Sequence, residues 1–270
     1  MAIACLTGSF VGGTVNFFEV AAGLGPTTEQ RKMLNLIAGA DILVMIAYFA
    51  FMLASRSTLA VILPPRRDAA TMSRDYSISK QQYWKVDKSS NLTHSVKSLL
   101  LSLSIASVAS CVQSRLAKVP GLAVPLSTSL AVGVARAPFL RGWALPGKDS
   151  ALFMLCLFYA IIGLDCRVQS MVTLGLPALR LMITMLIMHY ATTVGLSKLW
   201  NETVARNGRA PVIDVDDALI ASNVCIGGAS TASAMAYSTG KTHLVVSASI
   251  LGVLGYLLGT PVGLWVYTKL

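Results

Sequence analysis

Two apolar segments, one near each end of the chain, are interrupted by a Gly-Gly pair at matching positions. The first reads TGSFVGGTVN over residues 7–16, and the second reads SNVCIGGAST over residues 222–231. A helix that breaks inside a membrane leaves N–H and C=O groups unpaired, which is tolerated only where protein or a polar cavity surrounds them. The pattern therefore predicts two discontinuous helices whose broken ends are shielded from lipid.

The composition of the chain indicates an integral membrane protein. Of its 270 residues, 54% are hydrophobic and only 13% are charged, whereas a soluble domain carries about 25% charged residues. The net charge of +10 does not indicate nucleic-acid binding, because the basic residues lie mainly between the apolar runs and do not interleave with aromatic residues. The five cysteines form no CxxC or CxxH pair, so no metal site, disulfide framework or cofactor is expected.

Eight apolar runs predict an all-α fold, a polytopic transmembrane helical bundle. The polar stretch 64–95 cannot form a core and is predicted to be a linker. It separates 1–63, the remnant of a first repeat with a broken helix and one span, from 96–270, a second repeat of five to six spans. The predicted spans are 2–24, 34–54, 96–114, 121–137 (kinked near Pro125), 150–164, 171–197, 215–239 and 244–268.

The last apolar run carries glycines spaced by three or four residues. This spacing places small residues on one face of a helix and predicts close approach by neighbouring helices. The glycines of this face are Gly252, Gly255, Gly259 and Gly263.

The lysines and arginines between the spans set the expected orientation. If all eight runs cross the membrane, the connections on one side hold most of the basic residues. The positive-inside rule places that side, and the C-terminus with it, on the cytosolic face or its organellar equivalent.

The two breaks also predict a binding site. Superposing the Gly-Gly pairs aligns Thr7 with Ser222 and Asn16 with Thr231, which suggests an inverted internal repeat. Two crossing broken helices would aim N-terminal dipoles of about +0.5 charge at one point near the membrane centre. Nearby hydroxyl and amide groups, including Thr14 and Ser230, would then bind a small anion or a coupling ion. The predicted binding residues are Thr7, Ser9, Gly12, Gly13, Asn16, Ser222, Asn223, Gly227, Gly228 and Thr231.

A structural alternative stays open for the same segments. Glycines allow tight helix packing, and hydroxyl groups can bond to carbonyls of their own helix without serving any ligand.

Ionisable residues inside apolar runs add further candidates, since charge at membrane depth is costly and often functional. Glu19 follows the first break and Asp41 lies early in the second span, so both are predicted ion-coupling residues. Asp216 and Asp217 open the seventh span, where complementing the helix N-terminus is the simpler role. For His189 the simpler role is that of a hydrogen-bonded buried histidine.

The segments 6–17, 221–228, 254–260 and 158–163 resemble the DUF819 family of predicted integral membrane proteins, which has a YjcL-like bacterial branch and plant members. The resemblance implies a relation to cation/proton antiporters and bile-acid-type anion transporters, with inverted five-helix repeats. The family pattern has Asn-Ile-Gly-Gly-Pro at the second break, where this chain has Cys225 and Ala229 flanking Ile-Gly-Gly. By symmetry, about four spans are expected upstream of residue 1, so we expect a truncated member.

The leading hypothesis is a secondary transporter of a small solute, coupled to Na+ or H+ and embedded in a lipid bilayer. The resemblance to plant members allows a plastid membrane as the location of the protein. Assembly into a homo-oligomer is also allowed. An intramembrane enzyme is the first alternative, although no aspartyl-protease or Ser–His motif is complete. A helical bundle with only a structural role is the second.

Overall fold

A computed structural model of the chain describes residues 1–63, 92–116, 121–144, 154, 157, 160, 161, 164, 176–207, 211–241 and 243–270. Within these residues the regular elements are helices and no strand occurs, which confirms the predicted all-α class. The α-helices are α1 (Ala2–Gly12), α2 (Thr14–Gly23), α3 (Thr28–Leu59), α4 (Leu92–Arg115), α5 (Ala123–Arg136), α6 (Pro138–Ala144), α7 (Leu176–Thr203), α8 (Val215–Ser238) and α9 (Leu244–Tyr267).

Five of the described helices, α3, α4, α7, α8 and α9, are long and apolar enough to cross a membrane. They correspond to the predicted spans 34–54, 96–114, 171–197, 215–239 and 244–268, of which the third is described from residue 176 onward. The helices α1 and α5 are apolar but shorter than a full crossing. The predicted span 150–164 and the linker up to residue 91 fall largely outside the described residues.

Two prolines lie within the described helices, and the kink predicted at the first of them is not found. The helix α5 begins at Ala123, so Pro125 lies in its first turn, where the missing N–H removes no helical hydrogen bond. Pro125 thus belongs to the first turn of this helix and does not kink it. Pro261 lies inside α9. There it removes the donor that the carbonyl four residues earlier would otherwise receive.

The described residues form two compact units, each assembled from separate parts of the chain. The first unit contains Met1–Ala40, the described part of Lys85–Leu176, and Tyr256–Leu270. The second contains the described parts of Asp41–Trp84 and Pro177–Gly255. The predicted repeat boundaries and the inverted symmetry stay predictions.

In the first unit, α1 and α2 pack against the C-terminal part of α9 through glycines. A Cβ added at Gly263 would lie 2.7 Å from Val20 Cγ2 of α2 and 2.8 Å from the carbonyl oxygen of Ala4 in α1. The helices α4, α5 and α6 pack against one another, and α2 contacts α5. Close approach along the glycine face is thus confirmed in this unit.

The second unit is built around α8. Of the five long apolar helices, α8 is the most buried. In its most apolar stretch 61% of the residues are buried, against 11% in α4 and in α7. Its second half lies against α9, where Gly252 meets the backbone of Ala229 and Ser233 Oγ lies 2.8 Å from Ser249 Oγ. Because α8 is shielded by protein, it can hold polar groups that a lipid-facing helix could not.

Candidate functional site

Both predicted helix breaks are present, and each falls on the second glycine of its pair. Gly13 has φ 85° and ψ 171° between α1 and α2. Gly228 has φ 76° and ψ −164° inside α8. This combination of a positive φ with an extended ψ is accessible essentially to glycine alone. The shared geometry explains why each break requires glycine at that position.

At the first break, the main chain leaves polar groups available for a ligand. The N–H of Gly13 donates to the Ser9 carbonyl (2.6 Å), and the N–H of Asn16 donates to the Gly13 carbonyl (2.9 Å). Among the described residues, no main-chain hydrogen bond joins the carbonyls of residues 10–12 to α2. No side chain caps the start of α2 either. The break therefore presents the negative end of one helix and the positive end of another.

Asn16 is the central polar side chain of the first break. It is fully buried, and its Nδ2 donates to the Tyr256 carbonyl and to Thr260 Oγ1, both at 3.0 Å. A Cβ at Gly259 would lie 2.6 Å from that Nδ2, so the glycine permits the contact between α2 and α9. The Asn16 Oδ1 and the Thr14 Oγ1 are buried without a hydrogen-bond partner.

At the second break, an amide and a hydroxyl join the two halves of α8. Thr231 Oγ1 donates to Asn223 Oδ1 (2.8 Å), and Asn223 Nδ2 lies 3.4 Å from both the Thr231 carbonyl and Met235 Sδ. A Cβ at Gly227 would collide with Thr231 Oγ1 and lie 2.5 Å from Phe49 Cζ. The first glycine of the pair thus makes room for the polar contact, while the second turns the chain.

Ser222 lies one residue before Asn223 and contacts two aromatic side chains. Its Oγ is 2.7 Å from Tyr48 Oη and 3.0 Å from His189 Nε2. His189 is therefore hydrogen-bonded, as the sequence favoured, but it is only half-buried. Neither Tyr48 nor the Ser222 contact of His189 was predicted, because both depend on packing between distant segments.

The start of α8 is fixed by charged side chains. Asp214 and Asp217 form a capping box, each accepting a hydrogen bond from the other's backbone N–H. Arg56 binds Asp216 through Nε–Oδ1 (2.6 Å) and Nη2–Oδ2 (2.9 Å), and Lys241 pairs with Asp214. These contacts agree with the structural role that the sequence favoured for the acidic residues opening this span. Arg56 and Lys241 were missed as their partners.

The remaining predicted residues take varied positions. Thr7 Oγ1 donates to the Ile3 carbonyl of its own helix (2.9 Å), as the structural alternative describes. Glu19 Oε1 accepts from the N–H of Ala123 (3.0 Å), so it supports the N-terminus of α5. Ser9 is buried beside the first break, and Asp41 is buried in α3.

The two breaks belong to different compact units. The prediction that they share one pocket stays a prediction, as do the coupling roles of Glu19 and Asp41. Across the described residues, no group of three or more His, Cys, Asp and Glu side chains could hold a metal ion.

Comparison with known proteins assigns the family. A family model described as "Protein of unknown function (DUF819)" matches residues 1–270. The chain belongs to the DUF819 family. It is 28% identical over 116 residues to the "Uncharacterized membrane protein YjcL" of Bacillus subtilis (strain 168), and the match spans 43% of this chain and 26% of YjcL. No solved structure matches the chain. The resemblance to DUF819 and the membrane character are both confirmed.

Proposed function

We propose that this DUF819 chain acts in an ion-coupled secondary transporter of a small solute, with the two glycine breaks supplying binding groups. The observation that carries the proposal is the common geometry of Gly13 and Gly228, each set among buried amide and hydroxyl side chains. Transporters use discontinuous helices of this kind to hold substrates and coupling ions. A helix that only filled space would avoid such breaks and such polar groups.

The polarity of the broken helices supports a small anionic or polar solute. The half-helix that follows Gly228 begins with N–H groups directed back toward the break, and these favour negative charge. At the second break, Ser230 and Thr231 lie in the first turn of that following half-helix. Asn223, Thr231 and Ser222 place neutral donors and acceptors nearby, which suits a hydrogen-bonding solute.

Uptake into liposomes tests the proposal. The purified full chain is reconstituted and offered pools of small carboxylates and other polar metabolites under an inward Na+ or H+ gradient, with uptake read by mass spectrometry. We expect uptake above that of protein-free liposomes, retained in Gly195→Ala and lost in Gly228→Ala. An added Cβ at Gly195 meets nothing within 4 Å, so this variant is the matched control. Inserted protein that takes up no member of any pool, or a Gly228→Ala variant as active as wild type, would contradict the proposal.

The contact between Ser222 and His189 favours one other function, serine hydrolysis. A serine hydroxyl 3.0 Å from a histidine nitrogen matches the distance between nucleophile and base in such enzymes. Ser222 is only 1% exposed, and its hydroxyl also contacts Tyr48 Oη, so we expect no reaction. Labelling by a fluorophosphonate that disappears in Ser222→Ala would favour the enzyme over the transporter.

A further inference from the structure

Two buried oxygen atoms at the first break have no hydrogen-bond partner. They are Asn16 Oδ1, on a residue that is 0% exposed, and Thr14 Oγ1, on a residue that is 4% exposed. In the described part of the chain the one other such side-chain atom is Gln113 Oε1, in α4. Buried polar atoms are almost always paired, so two unpaired oxygens in the first turn of α2 need an explanation.

The orientation of the Asn16 amide follows from its partners. A backbone carbonyl only accepts hydrogen bonds, so the amide atom 3.0 Å from the Tyr256 carbonyl must be Nδ2. The neighbouring Thr260 hydroxyl, also 3.0 Å from Nδ2, accommodates this orientation. Oδ1 is therefore the atom left over, and it can act only as an acceptor.

Because Oδ1 is an acceptor, it can bind only a hydrogen-bond donor or a cation. An anion would be repelled by Oδ1, whereas a cation would be bound by it and by the hydroxyl oxygen of Thr14. The end of α1 adds carbonyl groups at residues 10–12 that accept no main-chain bond from α2. Carbonyls at the C-terminal end of a half-helix are suitable ligands for a hard cation.

The same atoms restrict which cation fits. All of these oxygens are neutral, whereas Ca²⁺ and Mg²⁺ are usually held by carboxylates. A coupling proton also needs a group that titrates, and neither an amide nor a threonine hydroxyl does so at physiological pH. The close approach of α9 at Gly259, which has no room for a methyl group beside Asn16, favours a small ion.

We propose that Asn16 Oδ1, Thr14 Oγ1 and the carbonyls ending α1 form a site for one sodium ion. The site deepens the proposed transport function by naming the coupling ion and the atoms that hold it. Binding at equilibrium does not require transport, so the two proposals can fail separately.

The test is the thermal stability and the ²²Na+ binding of the purified full chain in detergent. Sodium replaces N-methylglucamine at constant ionic strength, and potassium is measured in parallel. We expect the unfolding midpoint to rise with the logarithm of Na+ concentration, as for any ligand that binds only the folded state. Potassium should give a much smaller shift. Equal shifts in Na+ and K+, or no shift in either, would overturn the sodium assignment.

Variants at Thr14 show whether these atoms hold the ion. Thr14→Val keeps the shape and leaves the bonds of Asn16 intact, and we expect it to weaken Na+ binding by about tenfold or more. Thr14→Ser, which keeps the hydroxyl, should bind nearly as wild type. Thr128→Val is the control, because the Thr128 hydroxyl bonds to the Val124 carbonyl of its own helix. Wild-type Na+ affinity in Thr14→Val would overturn the site.

Measurements of binding and uptake together separate the two proposals. Sodium binding that depends on Thr14, without uptake of any solute, would support the site and count against the transporter. Uptake that is independent of sodium would support the transporter and count against the site.

Discussion

Replacing Gly228 by alanine should destabilise the protein, while the same replacement at Gly195 should not. At φ 76° and ψ −164°, a residue with a Cβ is strained by about 1–3 kcal/mol. Gly195 lies inside α7 with no atom within 4 Å of an added Cβ. Alanine there should gain up to about 1 kcal/mol, because it is the better helix former. The two substitutions are chemically identical and are expected to act in opposite directions.

The assay is thermal unfolding of the two variants and the wild type in one detergent. For chains of this size, 1 kcal/mol shifts the midpoint by about 2–4 °C. Gly228→Ala should therefore lower the midpoint by about 2–12 °C, and Gly195→Ala should leave it unchanged or raise it slightly. If Gly228→Ala raised the midpoint as much as Gly195→Ala does, α8 would be a continuous helix and the argument from the break would be refuted.

Three further predictions concern the contacts around the breaks. Arg56→Met should lower stability by about 1–3 kcal/mol, because the Asp216 side chain is only 4% exposed and loses its bidentate partner. A double-mutant cycle with Asp216→Asn should show that the two substitutions are coupled, and additive effects on stability would contradict this. Asp214→Ala should destabilise by about 0.5–2 kcal/mol through loss of the helix cap, measured by thermal unfolding, and Asp214→Asn should recover part of it. Gly259→Ala should cost about 1–3 kcal/mol by overpacking, since its Cβ would lie 2.6 Å from the nearest atom. Gly133→Ala, inside α5 with nothing within 4 Å of the added Cβ, should be neutral or slightly stabilising, and equal effects of the two would refute the packing argument.

The helix breaks could be predicted from the sequence because their cause is local. Only glycine adopts the backbone angles found at Gly13 and Gly228, and the apolar context required the freed polar groups to be buried. The capping role of Asp217 is local in the same sense, since its partner Asp214 lies three residues away.

The side-chain partners could not be predicted because they come from distant parts of the chain. Asn16 bonds to Thr260 across 244 residues, and Tyr48 bonds to Ser222 across 174. Such pairs depend on which helix faces pack together, and spacing in one sequence does not define those faces. The contact of Glu19 with the first turn of α5 is of the same kind, since it joins residues 104 positions apart in the sequence.

The most direct test of the central claim is whether water reaches the second break within the membrane. Thr231→Cys is made in a variant whose five native cysteines are replaced, reconstituted in liposomes and exposed to a membrane-impermeant thiol reagent. Leu251→Cys on α9, where the native side chain is 50% exposed on an apolar helix, is the lipid-facing control. We expect Thr231→Cys to react and Leu251→Cys to stay unmodified. If neither cysteine reacted, the break would be a dry packing feature, and the solute-binding account would be contradicted.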